Sequence, residues 1–183
     1  MEVNPIKDEK DIRSIKRLLS SNKRDLFIFT LGINSGLRIG DLTKLKVSDF
    51  NEKGIGDTIS LIEGKTGKTN FITINKNIYE CFNAYMKEYQ LNDNDFVFKS
   101  RKEGYSLHTN SVKRLIKSWC NQINLKGNYG AHTLRKTFGY HQMKNGTGIE
   151  LLMKRFNHSS PGITLRYIGI TSDDIKDICM NNL

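Results

Sequence analysis

The chain of 183 residues is poor in cysteine, poor in acid and free of long apolar runs, and each shortage removes a class of protein. Cys81, Cys120 and Cys179 are odd in number, far apart and in no metal-like spacing. They form no disulfide framework or thiolate site, and they read as reduced packing residues of a cytoplasmic protein. No apolar stretch approaches the roughly 20 residues that a spanning helix needs. The opening Met-Glu-Val-Asn-Pro has neither the basic nor the apolar part of a secretion signal. There is also no basic amphipathic terminal helix and no lipidation motif, so a membrane partner is not expected. Acidic residues number 19 against 29 lysines and arginines, a formal net charge of +10. An excess spread between elements as well as along them favours a polyanionic partner.

Other absences narrow the chemistry. His108, His132, His141 and His158 have no nearby acidic or cysteine companions, so no metal site is expected, and no cofactor. His108 reads as a surface or capping residue and His141 as a packing one. Gly64-Lys65-Thr66 lacks the second glycine and the strand-to-helix setting of a phosphate-binding loop. No repeat, low-complexity segment or linker divides the chain, and its length suits one domain.

The elements that are present begin with a helix over Asp8–Ser20, capped by its aspartate. A buried helix follows over about Lys23–Ile33, ended by Ser35-Gly36. A short helix over Leu37–Leu45 carries Arg38 in its first turn. Alternating segments over Thr58–Ile62 and Asn70–Ile74 flank a glycine-rich hairpin turn, Gly64–Lys68. Asn75 or Asn77 caps a helix with Ile78, Cys81, Phe82, Tyr85 and Tyr89 inward, and Phe96–Phe98 is extended. A basic helix from Thr109 to about Gln122 turns Val112, Leu115, Ile116 and Trp119 inward and Lys113, Arg114 and Lys117 outward. A last helix is expected over Ser172–Met180.

Residues 131–168 organise the rest. His132 and Arg135 are three apart and share a helix face. His158 and Tyr167 are nine apart, on opposite faces of any single helix. Ser160 as N-cap and Pro161 at the first helical position start a new helix between them. Two helices and a turn thus bring two imidazoles, a guanidinium and a phenol towards one point, a set suited to attacking a phosphate.

Arg38 in Ser-Gly-Leu-Arg-Ile-Gly-Asp-Leu, Lys65 in a hairpin turn, His132-x-x-Arg135, His158 and then Tyr167 together resemble the tyrosine recombinase (phage integrase) family, over residues 8 to 180. The resemblance implies a mostly helical α+β catalytic domain with a small antiparallel hairpin. It implies Arg38 and Arg135 as paired arginines, Lys65 as the hairpin lysine, His132 and His158 as the two histidines, Tyr167 as nucleophile and Asp41 as support for the first arginine. Lys68, Lys113, Arg114, Lys117, Lys136 and Arg166 are the further basic residues expected on double-stranded DNA. The implied reaction cuts and rejoins DNA through a 3′-phosphotyrosyl link, for site-specific integration or excision of a mobile element, by a synaptic tetramer. Alternatives are topoisomerase-like relaxation by the same chemistry and a non-enzymatic regulator using Leu37–Phe50 as part of a helix-turn-helix. Three departures stand out. Asn157 replaces the family's usual glycine, Lys68 competes with Lys65, and the helical clamp domain that usually comes first is expected to be absent.

Overall fold

The computed structural model describes residues 2–171 and Asp174. The helix expected over Ser172–Met180 lies outside them apart from Asp174. Helix α1 (Glu9–Leu18) starts at Asp8, whose side chain accepts the Lys10 N–H at 2.7 Å. Helix α2 (Lys23–Ser35) is the centre of the molecule, with Phe27, Ile28, Phe29 and Leu31 all fully buried. A helix apolar on nearly every side must be covered on every side. It packs against both α4 (Lys76–Tyr89) and α6 (Thr133–Lys144). The Phe27 ring meets Phe50, Phe82, Tyr85 and Phe98 at centroid distances of 5.4–5.9 Å. Tyr89, expected inward, is 41% exposed, because the α4 stripe runs out at the helix end.

Beyond α2 the chain turns through Gly36, in the left-handed conformation at φ 63°, which glycine adopts without steric cost. Helix α3 (Ile39–Leu42) and a 3₁₀ turn (Val47–Asp49) follow. Both are too short to lay a recognition helix in a groove, so Leu37–Phe50 is not a helix-turn-helix. Strands β1 (Thr58–Ile62) and β2 (Thr69–Thr73) pair antiparallel, with Thr58 opposite Thr73 and Ile62 opposite Thr69. Ile59 and Ile72 face each other in the core, and the period-two alternation leaves Ile62 and Phe71 outward and exposed.

Helix α5 (Thr109–Gln122) buries Val112, Ile116 and Trp119 and exposes Lys113, Arg114 and Lys117, as its periodicity requires. His108 caps it, Nδ1 accepting the Asn110 N–H at 3.2 Å. His141 packs with Nε2 2.9 Å from the Ile6 carbonyl. Between α6 and α8 (Pro161–Ile168) stands a further helix, α7 (Ile149–Phe156), which the sequence reading does not separate. Leu152, Phe156 and Ile168 form a second, smaller core beneath Tyr167.

That core depends on Gly139. A Cβ there would lie 2.6 Å from Ile168 Cγ2 and 2.7 Å from Phe156, inside van der Waals contact. Gly139→Ala is therefore expected to cost about 1–3 kcal/mol by overpacking, read as a lower midpoint in denaturant unfolding. An unchanged midpoint would show that α8 is not seated on α6.

Candidate active site

Arg38 is the N-cap residue of α3 rather than a residue of its first turn. Its Nη1 lies 2.5 Å from Glu63 Oε2, with the Arg38 side chain 20% exposed and that of Glu63 only 3%. Glu63 also receives the Thr66 hydroxyl at 2.7 Å and the Asn70 amide at 2.8 Å. Although burial opposes ionisation, hydrogen bonds from Thr66 and Asn70 and the paired charge of Arg38 hold its carboxyl down at about 2. The stabilisation this implies is present above the ordinary value of 4.5 and fades only as pH falls towards about 2. Asp41, expected to support Arg38, does something else. It is 6% exposed, its Oδ1 accepts the Gly64 N–H at 2.9 Å, and its Oδ2 is buried without a hydrogen-bond partner. The short α3 turns Asp41 towards the hairpin loop, so the carboxylate that contacts Arg38 comes from the end of β1 instead.

The two hairpin lysines differ in setting. Lys68 Nζ donates to Asn157 Oδ1 at 2.6 Å, bridging residues 89 apart in the chain. Lys65 is exposed at the loop and makes no hydrogen bond or ion pair among the described residues. It lines a cleft of about 700 Å³ with Arg38, Asp41, Gly64, Thr109 and His132.

His132 stands at the N-cap of α6, and Arg135 lies one turn in, only 2% exposed. Arg135 donates to the Gly36 carbonyl at 2.5 Å and to the Phe156 carbonyl at 3.3 Å, joining the ends of α2 and α7. Both are carbonyls left open where a helix stops. Its guanidinium carbon sits 4.7 Å from the Phe156 ring centre. Lys136, expected to reach DNA, is 3% exposed. Its ammonium is 2.5 Å from Glu2 Oε1 and lies over the Tyr167 ring, 5.1 Å from the ring centre. A lysine so enclosed and paired is a packing element here, not a surface cation.

At the end of α7, Asn157 takes the left-handed conformation, φ 59° and ψ 49°, so the turn survives the loss of the usual glycine. His158 follows, its Nδ1 3.0 Å from Thr164 Oγ1. Ser160 caps α8 through the Ile163 N–H. Tyr167 is then carried back to α6, its hydroxyl 3.3 Å from His132 Nδ1. The His158 and Tyr167 rings are 5.0 Å apart, edge to face, and both lean on Phe156.

Burial, then the nearby charges of Arg135, Lys136, Lys65 and Arg38, lower the His132 pKa below its ordinary 6.5. Burial, Arg135 and Arg38 lower that of His158 in the same way. Both rings are therefore neutral near pH 7, and a neutral imidazole can accept a proton. Burial raises the Tyr167 phenol above its ordinary 10, while Arg135, by charge and hydrogen bond, and then Arg38 pull it down. The set combines a phenol beside a proton acceptor with guanidiniums able to receive an oxyanion in two-pronged fashion.

The remaining expected cations are dispersed. Arg114 and Lys117 line a shallow hollow with Asn121 and Gln122, while the Lys113 stem lies along Gly130, two residues before His132. Arg166 opens into another hollow with Glu2, Lys7 and Lys136. Two residues that hold the site together escape the sequence reading, Glu63 and Arg155. Arg155 donates to Asn70 Oδ1 at 2.5 Å and to the Phe71 carbonyl at 2.7 Å, and also to the Ser35 carbonyl. Burial pushes its pKa down to about 10, still well above neutral pH. Every hydrogen-bond partner of Arg155 is 84 or more residues away, so nothing local signals its role, and Glu63 is marked only by its pairing with the distant Arg38.

Fold and site together define a catalytic domain of the tyrosine recombinase type. A crystal structure of XerA recombinase superposes with a TM-score of 0.80 at 21% identity, over 98% of this chain and 67% of that one. XerH recombinase bound to its palindromic difH substrate, in a post-cleavage complex, gives 0.78 at 21% identity, over 97% and 51%. Residues 7–173 match the phage integrase family, and the chain belongs to it. The probable integrase/recombinase YoeC of Bacillus subtilis is 38% identical over 175 residues, covering 95% of this chain and 93% of that protein. Tyrosine recombinase XerA of Pyrococcus furiosus is 27% identical over 92% of this chain, which spans 58% of its length. No helix among the described residues is long and apolar enough to cross a membrane.

Proposed function

We propose that this chain cuts and rejoins DNA at specific sites, with Tyr167 as the nucleophile. The observation that carries this reading is the Tyr167 hydroxyl held 3.3 Å from His132 Nδ1 beside a buried Arg135. Tyr167 Oη attacks the scissile phosphorus and passes its proton to His132. The bond from phosphorus to the 5′ oxygen breaks, leaving a 3′-phosphotyrosyl link and a free 5′ hydroxyl. Arg38 and Arg135 neutralise the non-bridging oxygens, and His158 holds one of them. The new ester conserves the energy of the broken one, so a 5′ hydroxyl from another strand can reverse the step without ATP.

Lys65 is the proton donor to the departing 5′ oxygen in this reading. It has no hydrogen-bond or ion-pair partner among the described residues, it lines the cleft with Arg38 and His132, and it is close enough to depress the His132 pKa. Lys68 is occupied by Asn157. Exchange between two duplexes requires four strand cuts, and one tyrosine per chain makes a tetramer on DNA the matching assembly. The duplex is met by the basic α5 face and the hairpin, in the cytoplasm.

The test uses a substrate with sulfur in place of the 5′ bridging oxygen. A thiolate leaves without a proton. Lys65→Ala is expected to cleave ordinary DNA on the order of 10²-fold more slowly and to recover on the sulfur substrate, while Lys68→Ala changes little on either. Rescue of Lys68→Ala instead would exchange the two roles. Rescue of neither would mean that the proton comes from elsewhere.

A further inference from the structure

Among the described residues Glu63 is the buried carboxylate that pairs with Arg38, and the cleavage chemistry leaves it unused. Its two oxygens are held from three sides, by Thr66 and Arg38 on Oε2 and by Asn70 on Oε1. Its own backbone closes the hairpin loop, the N–H donating to the Lys68 carbonyl and the carbonyl accepting from Gly67, both at 2.9 Å. Asn70 in turn is fixed by Arg155, which reaches back to the carbonyl of Ser35, three residues before Arg38. A carboxylate this confined cannot follow a moving partner, so Arg38 must come to it.

We propose that Glu63 is a positioning residue for DNA cleavage, holding the Arg38 guanidinium at one edge so that its other N–H groups meet the scissile phosphate. An exposed arginine spends side-chain entropy when it orders on a ligand, and an arginine already fixed by a buried anion does not. The inference rests on the cleavage reading above. It also competes with a plainer role, since Glu63 holds Thr66 and Asn70 and so shapes the loop that carries Lys65.

Substrate chemistry separates the two. A methylphosphonate at the scissile position has no negative charge and little need of Arg38, whereas a bridging sulfur removes the need for Lys65. Glu63→Gln is expected to slow single-turnover cleavage of ordinary DNA by about 10- to 100-fold, with DNA affinity within about twofold, as expected when ground-state binding is unchanged. The deficit relative to the unaltered protein should nearly close on methylphosphonate DNA and persist on the sulfur substrate, the pattern also expected of Arg38→Ala. Equal rates on ordinary DNA, or a deficit that persists on methylphosphonate, would overturn the proposal. A deficit that closes only on the sulfur substrate would assign Glu63 to Lys65 instead. Should Glu63→Gln fail to fold, Glu63→Asp keeps the charge but withdraws it by one methylene, and the same pattern on the same substrates is required of it. If the unaltered protein forms no adduct with any substrate, the cleavage reading falls, and this proposal with it.

Discussion

Tyr167→Phe is expected to abolish the covalent protein–DNA adduct on a nicked substrate while leaving fold and DNA binding in place. The variant loses one hydroxyl, whose contact with His132 Nδ1 is 3.3 Å. It retains the ring contacts with Phe156 and His158 at 5.4 and 5.0 Å and the Lys136 ammonium over its face at 5.1 Å. A single partly exposed hydrogen bond contributes about 1 kcal/mol to stability, so unfolding should shift little. The chemical effect is total, because phenylalanine offers no atom to bond to phosphorus. Denaturing gels read the adduct directly, and an adduct of normal yield from the Phe variant would identify another nucleophile.

Arg135→Ala is the second large effect, and it acts twice. In rate, loss of the group proposed to neutralise the phosphate oxygens is expected to cost on the order of 10²-fold or more. In stability, it strands the Gly36 and Phe156 carbonyls, both bonded to Arg135 and both at helix ends. A buried unpaired acceptor costs about 1–3 kcal/mol. Arg135→Lys tells the two apart, since it keeps the charge but not the fork that spans two carbonyls. It should recover less stability than charge alone would suggest, and still cleave far more slowly than the unaltered protein. With two guanidiniums carrying the phosphate charge, cleavage should continue in excess chelator. Arg135→Ala with undiminished single-turnover cleavage would remove this arginine from the reaction.

Much of the site is written in short-range code. Ser160 followed by Pro161 can start a helix in almost any surroundings, and doing so carries Tyr167 two turns along to the level of His132. Gly36 can end α2 because a left-handed residue closes a helix locally, which sets Arg38 just beyond it. Gly64 to Lys68 can turn a hairpin because the strands on either side alternate. Each of these choices depends on residues within a few positions, and so the order Arg38, Lys65, His132, Arg135, His158, Tyr167 is legible in the chain.

Partnerships and burial are not local and were decided by packing. Lys136 follows Arg135 and looks like surface charge, yet the segment containing Glu2 folds over it, 134 residues away in sequence. Asp41 sits where a supporting carboxylate is expected, but the brevity of α3 hands Arg38 to Glu63, 25 positions further on. Lys65 and Lys68 are equivalent in sequence and are distinguished only when α7 brings Asn157 to the second of them. Sequence alone therefore determined which chemical groups the protein carries and the helix and strand ends that present them. Only the tertiary structure decided which carboxylate holds which cation, because a buried charge must take whatever partner the packing puts within reach.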